Sequence, residues 1–177
     1  MIWFTADSHF GHFNVIRYCN RPFESKEEHD QALIHNWNTA VKPKDVVYHL
    51  GDFGFGNVDY IHKISQQLHG QIILIKGNHD SVKIIRRLSD RFQTVKDTHF
   101  IRHGGHKIFM SHYAHRTWPS SNHGSFHVFG HSHGNLPPHG LSVDVGVDVW
   151  NYTPISFEQL KEFMSTRKKE LDYTTKV

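Results

Sequence analysis

The sequence predicts an α/β protein, and two patterns carry that prediction. Short apolar runs rich in branched and aromatic residues alternate with helical patterns in the first half of the chain, and β-type runs dominate the second half. The 177 residues suffice for one domain with a substantial core, so we expect a single domain over residues 1–177. Residues beyond about 167 are expected to fray.

Five apolar runs predict buried strands, and each ends in glycine or a polar residue. The first ends at Asp7, the second at Gly51-Asp52 and the third at the sequence GNHD, while the last two end at His112 and at Gly130-His131. The runs cover residues 2–6, 46–50, 72–76, 108–111 and 126–129.

Four helical patterns accompany these strands. The sequence SKEE at residues 25–28 matches a capping box, and Leu33, Ile34, Trp37 and Val41 then share one helical face. Residues 58–68 repeat this spacing and are followed by Gly70 as a stop signal, and residues 81–88 predict a shorter helix. A last helix is expected from Ser156, with Gln159 completing a second capping box.

Two further segments predict β structure. Residues 94–103 and 106–110 flank two glycines and predict a hairpin. Residues 141–149 alternate valines with Asp144, Gly146 and Asp148, which predicts a half-buried strand. At least one of these aspartates is expected to face solvent, and the alternative is that they hydrogen-bond ligand imidazoles.

Composition restricts the classes of function. The net charge of +3 and pI near 9.0 suit an anionic substrate, but the basic clusters at residues 86–87 and 167–169 are interpreted as solvated faces, so nucleic-acid binding is possible but not indicated. Cys19 is the only cysteine, which excludes an intramolecular disulfide and a site built mainly on thiolates. The longest apolar run is too short for a membrane span and no targeting signal is found, so we expect a cytoplasmic protein.

Nine polar side chains follow the predicted strands, where α/β sheets carry their ligands. Imidazole, carboxylate and amide groups without thiolate suit Mn, Fe, Zn, Co, Ni or Mg, and they are too many for one ion. Each motif alone has an ordinary interpretation as a turn or as part of a surface with many histidines. The nine are Asp7, His9, Asp52, Asn78, His79, Asp80, His112, His131 and His133.

Their spacing predicts a pair of metal ions. In Asp7-Ser8-His9 and His131-Ser132-His133, an extended backbone would point both side chains to one side. Two adjacent ions need a bridging group, and Asp52 is the natural candidate; such a pair activates water for phosphoryl displacement. The glycines before Asp52, Asn78 and His131 would let the backbone approach the ions without an intervening Cβ.

The motifs ADSH, HLGD, KGNHD, MSH and FGHSHG resemble, in order, the signature of the calcineurin-like metallophosphoesterases. The segments HFGHFNVIRYCNRPF and VDVGVDVWNYTPIS resemble a small, uncapped bacterial and phage branch of that family. The resemblance implies a β-sandwich flanked by helices on both sides, a four-layer α/β/β/α fold that covers the whole chain.

The resemblance also implies roles for the residues. A hydroxide that bridges the two ions would attack phosphorus. His79 would donate to a phosphoryl oxygen or protonate the leaving group, oriented by Asp80. One ion would be held by Asp7, His9, Asp52 and His133, and the other by Asp52, Asn78, His112 and His131.

Other histidines are assigned from their positions. His12 is expected either to reach the substrate or the residues behind the ligands, or to lie in a surface loop, and His49 is expected to be a core histidine. His115, Arg116 and His123 are candidates for lining the substrate cleft.

The leading hypothesis is a dinuclear phosphodiesterase, with manganese as the first choice of metal and a nucleotide or another small phosphodiester as substrate. A phosphomonoesterase or nuclease is the alternative within the enzyme class. A non-catalytic interaction scaffold is disfavoured because His79 and all seven expected ligands are present, and a metal-storage protein would have no use for His79 and Asp80. The sequence leaves the oligomeric state open.

Overall fold

A computed structural model describes residues 1–168, which form two mixed β-sheets with flanking helices. The α/β sandwich expected from the sequence is therefore confirmed. Residues 169–177, where most of the expected fraying falls, lie outside the described residues.

The first sheet has five strands in the order β4-β3-β2-β1-β9. All neighbours are parallel except β1 and β9, which are antiparallel. The strands are β1 (Ile2–Thr5), β2 (Val46–His49), β3 (Gln71–Ile75), β4 (Phe92–Lys96) and β9 (Ile155–Ser156).

The second sheet has the order β5-β6-β7-β8. Strands β5 and β6 form the antiparallel hairpin that the two glycines predict, while β7 and β8 add in parallel. The strands are β5 (Thr98–His103), β6 (His106–Ser111), β7 (Phe126–Phe129) and β8 (Ser142–Asp144).

Five α-helices complete the described fold, and a 3-10 turn covers Ser121–His123. The side chain of Ser25 caps α2, but Glu28 accepts from the backbone of Glu24, so only half of that predicted capping box forms. Ser156 and Gln159 form the complete box. The helices are α1 (Phe13–Tyr18), which the sequence patterns missed, α2 (Lys26–Ala40), α3 (Val58–Ser65), α4 (Val82–Arg87) and α5 (Phe157–Ser165).

Alternation along the strands divides the core into two clusters. Phe4 of β1 points between the sheets, where it joins Met110 and Val128 of the second sheet together with Leu160 of α5. Trp3 points to the opposite face, where residues of α2, α3 and α4 cover the first sheet. Both faces of the central strands are therefore buried, and their polar groups are confined to the strand ends.

Two predicted boundaries were wrong. Residues 94–96 are not part of the hairpin; they belong to β4, which pairs with β3 in the first sheet, and β5 begins only after Asp97. Strand β8 ends at Asp144. Residues 142–147 are all buried, because this segment pairs with β7 at its start and with Ala6, through Gly146, near its end. Local alternation cannot show that both faces of a strand are covered.

No helix within residues 1–168 combines the length and apolar character needed to cross a bilayer. His49 lies in the core as expected, fully buried, with its Nε2 atom 2.9 Å from Ser8 Oγ. Burial lowers the pKa of His49 to about 3.

The packing of α5 can be tested with Leu160→Ala. Leu160 is completely buried between the helix and the sheets, so truncation should lower the free energy of unfolding by about 2–5 kcal/mol in a denaturant titration. The control Glu162→Ala, on the exposed side of the same helix, should change it by less than about 0.5 kcal/mol. Equal effects of the two substitutions would contradict the observed orientation of α5.

Candidate metal centre

The polar strand ends of both sheets meet at one edge of the sandwich. The backbone N–H of Asp7, after β1, donates to Gly51 O at 3.0 Å, and that of Gly130, after β7, donates to His112 O at 2.9 Å. Parallel neighbours end at the same edge, so loops that are distant in sequence become adjacent.

Two groups of three side chains converge there. The ligand atoms of Asp7, His9 and His133 lie within 4.8 Å of one another, and so do those of Asp52, His112 and His131. Each group contains three of the four residues that the sequence analysis assigned to one ion; Asp52 is not in the first group and Asn78 is not in the second.

Asp52 lies between the groups. Its Oδ2 atom is 3.6 Å from His9 Nε2 and 3.5 Å from His112 Nε2, while Oδ1 accepts the backbone N–H of His79 at 2.8 Å. The side-chain oxygen of Asn78 lies 3.0 Å from His112 Nε2. One carboxylate oxygen thus faces both groups, and the other fixes the GNHD loop.

The backbone at the candidate ligands is unusual. Five of the seven adopt positive φ angles, a conformation that is uncommon for residues other than glycine. The assumption of an extended backbone in the two His-containing motifs was therefore wrong, because left-handed turns aim these side chains. The five are Asp7 (58°), His9 (50°), Asp52 (56°), His131 (68°) and His133 (47°).

The glycines permit close approach, as expected. A Cβ on Gly51 would lie 2.6 Å from His112 Nδ1, and Gly51 itself has φ of 95°. A Cβ on Gly77 would lie 2.5 Å from the backbone nitrogen of Asp52. Neither position has room for a side chain.

Burial and charge suit a cationic ligand. Burial raises the pKa of Asp7 to about 7 and lowers that of His9 well below its usual value. The pKa of Asp52 is held below its usual range by His112, although burial opposes this. Both ring nitrogens of His9 are buried without a hydrogen-bond partner among the described residues. A divalent cation would favour ionised carboxylates and use such a nitrogen, so the residues fit metal ions.

Hydrogen bonds behind the histidines orient them. His112 Nδ1 donates to Leu50 O at 2.7 Å, which leaves Nε2 directed toward Asp52 and Asn78. His133 Nδ1 lies 2.7 Å from Asp148 Oδ2. A hydrogen bond that fixes one ring nitrogen in this way is typical of metal-binding histidines.

Asp144 and Asp148 both turn inward, so the expectation that one faces solvent was wrong. Asp144 Oδ2 accepts from Ser132 Oγ at 2.6 Å and from the backbone N–H of Gly134 at 3.0 Å, which fixes the loop that carries His131 and His133. A buried carboxylate without a hydrogen-bond partner would lower the stability of the fold, so both aspartates bind partners here.

Arg21 is a site residue that the sequence analysis missed. Only 4% of it is exposed, and its guanidinium binds Asp148 through Nε and Nη2 at 2.8 and 2.7 Å. It also donates to the carbonyls of Asp7 and Ser8 at 2.8 and 3.2 Å. Arg21 therefore links the two motifs that supply the first group of ligands.

The same network continues into α2. Arg21 Nη1 lies 2.7 Å from His29 Nε2, and His29 Nδ1 lies 2.9 Å from Asp30. Asp30 in turn accepts from the Gly11 backbone and the Tyr60 hydroxyl, each at 3.0 Å. The sequence did contain a signal for this network, because the adjacent ionisable residues His29 and Asp30 lie on the buried face of the helix predicted after Ser25.

Cys19 also lies within 4.8 Å of the ligand atoms of His133 and Asp148. Cys19 belongs to neither of the two groups described above. His133 and Asp148 bind each other, and the thiol of Cys19 lies beside this pair.

His79 lies at the open side of the centre. Its ring centroid is 5.4 Å from that of His9 and 5.6 Å from that of Phe55. The expectation that Asp80 orients His79 was wrong: Asp80 accepts from three backbone N–H groups, those of Asp52, Phe53 and Gly77 at 2.8–2.9 Å, and makes no hydrogen bond to the imidazole within residues 1–168. Asp80 thus fixes the loops that carry Asp52 and Asn78.

The substrate candidates separate into near and remote residues. The ring of His12 is 5.5 Å from that of His9, and His115 lines a cavity beside Asn78 and His112. Arg116 lines another cavity, of about 330 Å³, between the loops that follow β6 and β7. His123 lies in the 3-10 turn, and none of the contacts seen within residues 1–168 joins it to the candidate ligands.

Comparisons with known proteins agree with this architecture. A curated relative, an uncharacterized protein of Methanocaldococcus jannaschii, is 31% identical over 176 residues, which cover 94% of this chain and 93% of the relative. The Gene 66 protein of Mycobacterium phage L5 is 28% identical over 180 residues, covering 84% of this chain and 86% of that protein. The crystal structure of a protein of unknown function from Aquifex aeolicus matches with a TM-score of 0.74 and 26% identity, covering 92% of this chain and 98% of that one.

The family itself is shown by a match over most of the chain. Residues 2–143 fit the model of the calcineurin-like phosphoesterase superfamily domain. The matched segment contains all seven candidate ligands and His79. The chain therefore belongs to the calcineurin-like phosphoesterases, metal-dependent hydrolases of phosphoric esters.

Proposed function

We propose that the protein is a dinuclear-metal phosphodiesterase acting on a nucleotide or another small phosphodiester. The observation that carries the proposal is the position of Asp52 Oδ2, about equally far from a histidine of each ligand group. Two divalent cations, when bound, would activate a water molecule and neutralise charge on the phosphoryl oxygens.

Residues of the chain position the substrate and donate a proton to the leaving oxygen. Asn78 and His131 are exposed, whereas Asp7, His9, Asp52 and His112 are buried, so a phosphate reaches the centre from the Asn78 side. His79 lies on this open side, where its imidazole can donate a proton to the leaving oxygen. Water supplies the oxygen of the new P–O bond as the bond to the leaving alcohol breaks.

The metal is proposed from the donor set. Histidine nitrogens with carboxylate and amide oxygens suit manganese, and the same set accepts iron, zinc, nickel, cobalt or magnesium. We propose manganese first and two ions per chain.

The deciding experiment measures bound metal and hydrolysis in the same preparation. With Mn²⁺ added, bis(p-nitrophenyl) phosphate should be hydrolysed faster than p-nitrophenyl phosphate. Faster hydrolysis of the monoester would show a phosphomonoesterase. Absence of both reactions from metal-loaded protein would refute the enzymatic proposal.

Asp52→Ala should abolish the metal pair. Because the substitution removes the one oxygen that faces both ligand groups, metal analysis should show a loss of at least one of the two ions and activity should disappear. Asp59→Ala is the matched control, because Asp59 is an exposed carboxylate of α3 that pairs with Arg87, and this variant should retain both. Two tightly bound ions in Asp52→Ala would contradict the bridging role.

His79→Ala should separate catalysis from metal binding. Loss of a general acid should lower kcat by about 10²- to 10⁴-fold while metal content stays unchanged. The exposed His123→Ala serves as the control and should leave kcat unaltered. Unchanged turnover in His79→Ala would exclude the acid role.

Arg21→Lys should weaken one metal site more than the other. Lysine cannot make the paired contacts with Asp148 that hold His133, so affinity at the Asp7 group should fall about 10- to 100-fold in calorimetric Mn²⁺ titration. Circular dichroism should show an intact fold. Equal weakening of both sites would argue against this specific coupling.

A further inference from the structure

Two exposed aromatic rings lie on opposite sides of the candidate centre. Tyr113, 49% exposed, has its ring centroid 4.6 Å from that of His131 and 5.0 Å from that of His112. Phe55, 43% exposed, packs against His79 at 5.6 Å and against His12 at 4.5 Å. Tyr113 thus contacts histidines of the Asp52 group, whereas His12 and His79, which Phe55 contacts, lie beside His9 of the Asp7 group. A phosphate at the centre would therefore have a flat apolar surface on either side.

The Tyr113 side also contains a cavity of about 300 Å³. Its lining includes the candidate ligands Asn78 and His112 together with Lys76, Thr98 and His115. Lys76 pairs with Asp97 at 2.6 Å, which places a donor and an acceptor in the cavity wall. The volume is at the lower end of the range for small-molecule sites and suits one nucleoside-sized group.

The Phe55 side has a different character. The rings of His12, Phe55 and His79 form an open ledge here, and His79 is the residue proposed to protonate the leaving oxygen. A leaving group must lie beside that imidazole for the proton to reach it. The other ester arm, which stays on phosphorus, then points toward Tyr113.

We propose that the cavity beside Tyr113 binds the retained arm of a phosphodiester as a flat, nucleoside-like group, while the leaving arm lies on the Phe55 ledge. The inference rests on the proposed phosphodiesterase function. When a phosphomonoester is hydrolysed, its single arm is the leaving arm and no retained arm fills the cavity, so the two surfaces favour hydrolysis of diesters. Aromatic side chains bind nucleobases by stacking, which is tolerant of base identity.

The test compares two esters that share a leaving group. Thymidine 5′-(p-nitrophenyl phosphate) and methyl p-nitrophenyl phosphate both release nitrophenol, and they differ only in the retained arm. With Mn²⁺-loaded protein, kcat/KM should be about tenfold or more higher for the thymidine ester, the size expected for one stacked base.

Four variants locate the two arms. Tyr113→Leu should bring the ratio of the two kcat/KM values close to one, and Tyr113→Phe, which keeps the ring but loses the hydroxyl that donates to Asn78, should preserve the ratio. Phe55→Leu should lower kcat/KM for both esters and leave the ratio unchanged. Tyr18→Leu removes a 75% exposed ring without a ring contact in the described part of the chain, and it should have no effect.

A second variant covers the case in which Tyr113→Leu does not fold. Thr98→Trp, at the exposed start of β5, would fill the cavity and should also abolish the preference for the thymidine ester. Inhibition provides a readout without turnover: thymidine 5′-monophosphate should inhibit at least tenfold more strongly than methyl phosphate, and Thr98→Trp should remove the difference.

The outcomes distinguish the inference from the proposed function. Hydrolysis of both esters at equal kcat/KM would leave a phosphodiesterase but overturn the nucleoside site. Loss of the preference in Phe55→Leu rather than Tyr113→Leu would overturn the assignment of the two arms. Absence of hydrolysis of either ester by metal-loaded protein would overturn the proposed function and this inference with it.

Discussion

The site depends on one constraint: two carboxylates, Asp7 and Asp52, are almost completely removed from water within a cluster of imidazoles. Such groups are costly to bury unless hydrogen bonds or cations compensate them. The chain supplies backbone N–H groups, with those of His131 on Asp7 and of His79 on Asp52. These bonds also tie together the loops of both sheets, so the compensation of charge and the assembly of the site are the same set of contacts.

Keeping this arrangement carries a conformational cost that the rest of the fold must offset. Left-handed backbone at five candidate ligands stores strain, roughly 1–3 kcal/mol each by the usual estimate for such conformations. The two hydrophobic clusters stabilise the strands that end in these turns. Asp80 accepts backbone hydrogen bonds from Asp52 and Gly77 and so holds the two loops that contain them. Asp80 therefore acts through the backbone, in a role that preorganises the centre.

Arg21 extends this support across the first ligand group. It contacts the carbonyl of Asp7 and the carboxylate that orients His133, and through His29 it reaches Asp30 and the start of α2. The Asp52 group has its own support, because His112 is fixed by the Leu50 carbonyl. Beside the contacts that the two groups share, each histidine thus has a support of its own, which is why we expect Arg21→Lys to weaken the Asp7 group more than the Asp52 group.

The sequence by itself determined the strands and the chemistry at their ends. Apolar runs closed by GD, GNHD and GHSHG indicate buried strands followed by tight polar turns, so the candidate ligands, the glycines and His79 are visible in the local pattern, while their proposed roles come from the family resemblance. Only the tertiary structure decided where the side chains point and what supports them. The alternation of residues 141–149 predicted a half-buried strand with at least one exposed aspartate, because it describes one strand by itself. The burial of Asp144 and Asp148 results from contacts with other segments of the chain. Likewise the contacts of Arg21 with Asp148 span 127 residues, a separation over which sequence carries no geometric information without the fold.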